Sequence, residues 1–347
     1  MRTGRRSLPF ILLIVFGLSA TTSLSAVADD FDDDALQGHV EAISDLGATR
    51  VHALLTVGES EPIEAVSGTD IGGGGPVTEF YSIGSKAETF IAVVVLQLVG
   101  EGKLTLDDPV ALHLPAFFEG SQDSSAVTIR QLLQHTSGIP ELTSSDEATA
   151  GTPSPEDLIE TINAPAAFPA GTSWMYSSAN YLLVSLLIEE LTGNSWESEI
   201  QTRILTPLGM EQTRVGANAE YPDPLWSRAD GGILTTPEDI THFLDALLDG
   251  TLLSPELTAD MFMKVATNRA DDSQFALGLE WHPLSCGSGF WGNWSSIPGY
   301  MSIAGITEDG SRRLVVSNAT ITSDPAIATS LDDASRALVD RALCNAS

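Results

Sequence analysis

Residues 85–102 read SKAETFIAVVVLQLVGEG, and this stretch decides the fold. From Phe90 to Val99 the apolar positions run almost without a break, and Gly100 and Gly102 end the run. A segment of that length with glycine stops reads as a helix buried on most sides, and a helix wrapped in protein sits at the centre of a domain. Working outward, Ala35 to Leu46 has helical spacing, and Val51–Val57 with Ile63–Val66 reads as a strand hairpin. A glycine run at residues 72–75 marks a loop. Beyond the central helix, helical patterns cover Ile129–His135, Pro155–Asn163, Tyr181–Thr192, Trp196–Ile204 and Pro237–Leu248. Strand patterns return at Phe275–Trp281, Met301–Ile306 and Arg313–Val316, and a last helix runs from Pro325 to Leu343. Strands at both ends around a helical middle predict an α/β fold: one layer from residues 35–85 and 250–347, and a mostly helical part at 86–249 packed on it.

The chain of 347 residues is 43% hydrophobic and 18% charged, the composition of a folded globular protein. Its 47 Asp and Glu against 16 Lys and Arg give a formal charge of -31, which repels phosphate backbones and argues against nucleic acid partners. Residues 1–28 carry a basic head (Arg2, Arg5, Arg6), an apolar run from Leu8 to Leu18 and a small-residue end, Ala26-Val27-Ala28, before Asp29. That pattern predicts a signal peptide cleaved after Ala28, by the general or the twin-arginine route, and a secreted or periplasmic protein spanning residues 29–347. No later window has the length to span a bilayer. In an oxidising compartment Cys286 and Cys344 are expected to form a disulfide. His and Cys show no ligand spacing, so no metal and no cofactor is expected.

Three stretches carry a resemblance. Phe80-Tyr81-Ser82-Ile83-Gly84-Ser85 leads into the buried helix, Leu104-Thr105-Leu106-Asp107-Asp108-Pro109-Val110 follows it, and then comes Thr128 to Pro140 with Leu132-Leu133-Gln134-His135-Thr136-Ser137-Gly138 at its centre. With Phe168-Pro169-Ala170-Gly171-Thr172, Tyr176-Ser177, Pro207-Leu208-Gly209-Met210, Gly231-Gly232 and Pro298-Gly299-Tyr300 in the same order, the chain over roughly residues 35–345 resembles the serine D-alanyl-D-alanine carboxypeptidase and class C β-lactamase family. The resemblance implies an antiparallel sheet flanked by helices, and a cleft in which a serine at the start of the central helix attacks an amide or lactam carbonyl. It implies, too, a lysine one helical turn on, an assisting tyrosine and a strand triplet at the oxyanion hole, the base and the donors that acyl transfer needs.

Ser85 matches the nucleophile and Tyr176 the tyrosine, but the three motifs are each broken. Ser-x-x-Lys requires lysine where Glu88 stands, and the residues three before Lys86, Lys103 and Lys264 are Ile83, Gly100 and Met261. Lys86 is about 100° around the helix from Ser85 and does not substitute. Tyr-x-Asn appears as Tyr176-Ser177-Ser178, and the position of His-x-Gly falls on Asn293-Trp294-Ser295. Ser85-Lys86-Ala87-Glu88 also reads as a capping box, with Glu88 folding back on the helix start. His135 reads as structural, Trp291 and Trp294 as packing or cleft-lining aromatics, and Asn293, Asn318 and Asn345 as sequons. The expectation is an exported serine hydrolase homologue with substituted motifs, inactive or weakly active, whose partner is a cell-wall peptide or a small acyl compound such as a β-lactam. The alternative is an active carboxypeptidase or esterase using Ser85 and Tyr176.

Overall fold

The molecule is built around helix α2 (Ala87–Gly100), whose residues from Ala87 to Leu96 are all buried. This computed structural model describes residues 31–68, 81–119, 126–142, 155–216, 232–297, 300–320 and 324–344. The leader at residues 1–28, the glycine run at 72–75, Phe80, Gly231, Pro298, Gly299 and Asn345 lie outside the described residues.

Helix α1 (Asp33–Asp45) precedes strands β1 (Arg50–Val57), β2 (Ile63–Gly68) and β3 (Tyr81–Ser82), and a 3-10 turn at Gly84–Lys86 leads into α2. The helical section contains α3 (Ile129–Leu133), α4 (Pro155–Asn163), α5 (Ser178–Thr192), α6 (Trp196–Ile200) and α7 (Thr206–Leu208). Two short strands, β4 (Arg214–Val215) and β5 (Ile233–Thr235), separate these from α8 (Pro237–Leu248) and α9 (Pro255–Met261). The chain then runs through β6 (Val265–Ala266), β7 (Gln274–Phe275), β8 (Glu280–Pro283), β9 (Gly289–Ile297), β10 (Tyr300–Thr307) and β11 (Arg312–Ala319) to α10 (Pro325–Leu343).

The long strands form an antiparallel sheet in the order β2-β1-β11-β10-β9-β8-β7-β6, so the two ends of the chain meet where β1 pairs β11, Leu54 opposite Val315. Alternation of side chains along each strand supplies two cores. On one face Val51, Ala53, Leu55, Phe290, Ile303 and Val316 pack with α1 and α10. On the other Leu54, Trp291, Ala304, Ile306 and Val315 pack with α2, α5 and α8. The expected strand Phe275–Trp281 is two strands, because Gly278 between them takes φ +74 and presses on the start of α2. Two strands of a second sheet, β3-β5-β4, namely β4 and β5, fall within the section expected to be helical; its strands of two or three residues are too short to show a period of two. The disulfide Cys286–Cys344 joins the β8–β9 turn to the end of α10.

Candidate active site

Strand β3 delivers the candidate nucleophile. Tyr81 and Ser82 pair with Thr235 and Leu234 of β5, and Gly84, at φ +52, turns the chain into the 3-10 turn that contains Ser85. That positive φ is readily available to glycine alone. Ser85 is half-buried, while Gly84, Lys86, Ala87 and Glu88 around it are buried, so Ser85 is the member of the turn that faces outward.

The capping box does not form. Ser85 lies inside the 3-10 turn rather than ahead of it, and neither the turn nor α2 has a side-chain cap. Glu88 instead points into the protein, 1% exposed, where one carboxylate oxygen accepts the Tyr176 hydroxyl at 2.9 Å and the other lies 3.1 Å from His135 Nε2. Two better donors, already held in place by α3 and the segment before α5, outcompete the backbone N–H of the helix start.

The proton arrangement follows from donors that cannot be reversed. The backbone N–H of Ser177 points at His135 Nδ1 at 3.3 Å, and Asn180 Nδ2 donates to the same atom at 3.0 Å. The amide orientation of Asn180 is set by Ser137, whose hydroxyl accepts the Ile139 N–H and donates to Asn180 Oδ1 at 2.8 Å. Nδ1 is therefore an acceptor, the ring hydrogen of His135 sits on Nε2, and a Glu88 oxygen receives it. Burial, and after it the nearby Glu88 charge, pushes the Tyr181 phenol well above its ordinary value; that phenol donates to the Leu133 carbonyl at 2.8 Å. A buried carboxyl thus stands at the position compared with the motif lysine, and His135, read as structural from the sequence, touches it.

Lys86 does not fill the gap. Its amine donates to the Ser302 carbonyl at 2.8 Å, the Ser302 hydroxyl at 2.7 Å and the Ile83 carbonyl at 3.3 Å, and burial pulls its pKa well below the ordinary lysine value. Ser302 lies on β10 directly across from Ser295 of β9. Asn293, two residues before Ser295 on the same face, donates to Thr89 Oγ1 and to the Gly278 carbonyl, each at 3.1 Å, and accepts the Glu280 N–H at 2.9 Å. Asn293 and Ser295 are both buried, 5% and 4% exposed, so the triplet position is a tie between sheet and α2. Asn318 is buried as well and donates to Ser335, and neither asparagine presents itself as a glycan acceptor. Ser178 opens α5, where its N–H donates to Glu141 Oε2 at 2.7 Å and its hydroxyl to Glu141 Oε1. Trp291 packs in the core against Phe262, and Trp294 is on the opposite sheet face beneath Arg336. Among the described residues no group of His, Cys, Asp and Glu could hold a metal ion.

The chain matches the beta-lactamase family over residues 28–335. It belongs to that family. Penicillin-binding protein 4 of Amycolatopsis lactamdurans is 30% identical over 63% of this chain and 64% of its own length. Across the first curated relatives the matched part is 38% to 64% of their length, so the chain spans less than two thirds of them. A D-stereospecific amidohydrolase from Streptomyces sp. superposes with a TM-score of 0.76 at 28% identity, covering 90% of this chain and 99% of that one. A penicillin-binding protein from Bacillus halodurans superposes with a TM-score of 0.70 at 21% identity over 86% and 98%, a likeness of fold. The antiparallel sheet with helices on both faces is the fold of this penicillin-binding and β-lactamase-like family of serine hydrolases, and no described helix is long and apolar enough to cross a membrane.

Proposed function

We propose that this protein is an exported family member that binds a cell-wall peptide or a β-lactam-like acyl compound in the Ser85 cleft with little or no turnover. The observation that carries the reading is the fate of the base: the motif position is a carboxylate taken up by Tyr176 and His135, and the neighbouring amine, Lys86, spends its hydrogens on Ser302 and Ile83. A serine hydroxyl without an adjacent base is a weak nucleophile at neutral pH. Relatives named as penicillin-binding proteins support the ligand class. The test is intact mass after incubation of the mature protein with a penicillin and, separately, with an uncharged fluorophosphonate, beside Ser85→Ala. No adduct from either is expected; an adduct that disappears in Ser85→Ala overturns the reading. Export is checked on secreted material, whose N-terminus is expected at Asp29.

A second reading has one observation behind it. The Tyr176 hydroxyl donates to Glu88 at 2.9 Å; on this reading the phenol oxygen takes the Ser85 proton while its own passes to the carboxylate, a relay ending on Glu88. Ester hydrolysis lost in both Ser85→Ala and Tyr176→Phe would establish it.

A further inference from the structure

We propose that a cavity on the sheet face opposite α2, between the β8–β9 hairpin and α10, binds a small primary ammonium compound with a compact apolar body. The site is separate from the Ser85 turn and does not rest on the reading given for it. The cavity measures about 180 Å3, room for a single-ring molecule rather than a peptide. Its apolar lining is the inner part: Leu284, Phe290 and Val339 are buried members of the core under α1 and α10, and Trp294 is half-buried beside them. Its charged lining is the outer part, with Asp271 and Arg336 exposed and Asp340 half-buried.

The walls are joined without any ligand. Cys286–Cys344 ties the hairpin turn to the end of α10, and Ser285 donates to Asp340 from both its backbone N–H, at 2.7 Å, and its hydroxyl. A site held in place in this way costs a ligand little ordering. Charge then sets the ligand class. The lining holds two carboxylates, Asp271 and Asp340, and one guanidinium. That guanidinium is engaged: Arg336 lies over Trp294, 4.1 Å from the ring centroid, its Nε donates to Asp332 at 2.8 Å, and its Nη1 is 3.7 Å from Asp271. The remaining titratable lining group, His282, lies 3.1 Å from Glu280. Burial works against the Asp271 charge, but hydrogen bonds from Ser273 and the charges of His282 and Arg336 hold its pKa below the ordinary value. A ligand ammonium therefore gains a carboxylate at the outer part while its body displaces water from Leu284, Phe290 and Val339; a ligand carboxylate would meet two groups of its own sign.

The test is titration of the isotope-labelled mature protein at pH 7 and low salt with benzylammonium chloride and with benzyl alcohol, two probes of like shape that differ in one charge. The readout is the indole N–H resonance of Trp294, assigned against Trp294→Phe. Benzylammonium is expected to bind about fivefold more tightly, the size of one solvent-exposed ion pair. Salt is expected to close the gap, and Asp271→Asn and Asp340→Asn each to narrow it to about twofold. Asp340→Asn serves alone where Asp271→Asn does not fold. Equal affinities, or tighter binding of the alcohol, overturn the ammonium class. A gap that neither salt nor either variant moves overturns the part given to the carboxylates. A titration that leaves the Trp294 resonance in place overturns the site, and so does failure of both probes to bind. None of these results touches the reading of the Ser85 turn.

Discussion

The helical wall and the strand wall around the Ser85 turn hold their buried polar side chains in different ways. On the helical wall, Glu88, His135, Tyr176, Asn180 and Ser137 form a chain of directed hydrogen bonds that ends on the buried Glu88 carboxyl. On the strand wall, Asn293 ties β9 to Thr89 and Gly278, and Ser302 of β10 holds Lys86, with a short-range bond for each polar atom. One wall holds a buried hydrogen-bond network around Glu88 and the other a latch between sheet and helix. A polar residue is accepted in a core when its partners are present, and what those partners donate decides whether charge remains.

The sharpest way to break this contrast is Glu88→Lys. Nε2 of His135 is held as a donor by Ser177 and Asn180, so the ammonium would meet a donor where the carboxylate met a proton. A loss of about 3–5 kcal/mol in denaturant unfolding is expected, with no penicillin adduct gained. A variant as stable as the parent would show that His135 can turn its tautomer. Next is Gly278→Ala, at the seam of the two walls: the added Cβ would lie 2.7 Å from the Glu88 carbonyl and 2.9 Å from the Tyr181 hydroxyl at φ +74, and about 3 kcal/mol should be lost. Asn293→Ala removes the latch and leaves the Glu280 N–H unpaired, for about 1–2 kcal/mol, with the His135 ring resonances unmoved if the walls are independent.

The smallest effect is expected outside the cleft. Asp108, bonded to Thr105 side chain and backbone and to His113, has its pKa lowered to about 2. Its folded value is depressed, so its contribution is present above the ordinary value of 3.8 and is lost as pH falls toward 2. For a carboxylate this open to solvent the gain is under about 1 kcal/mol. Asp108→Asn should therefore flatten the acid limb of the stability curve slightly and leave the neutral region within about 0.5 kcal/mol of the asparagine's own bonding.

Much of the fold was legible because its signals are local or periodic. The unbroken apolar run after Ser85 could only be a buried helix, and Pro237–Leu248 and Pro325–Leu343 were bounded by their prolines and periodicity as the structure has them. The small sheet β3-β5-β4 and the break at Gly278 were not legible, since both depend on contacts between segments more than 100 residues apart. At the site, the capping box was a sound local reading that tertiary donors overrode. Burial of Lys86 against Ser302, 216 residues away, left no trace in the local sequence.

The amino-acid sequence by itself determined the family and the acidity of the chain, because these are properties of residue type and spacing. Only the tertiary structure decided which way each proton points. That depends on the backbone N–H of Ser177 meeting one nitrogen of His135, a contact between residues 42 positions apart, and it is this contact that turns the other nitrogen's hydrogen toward Glu88.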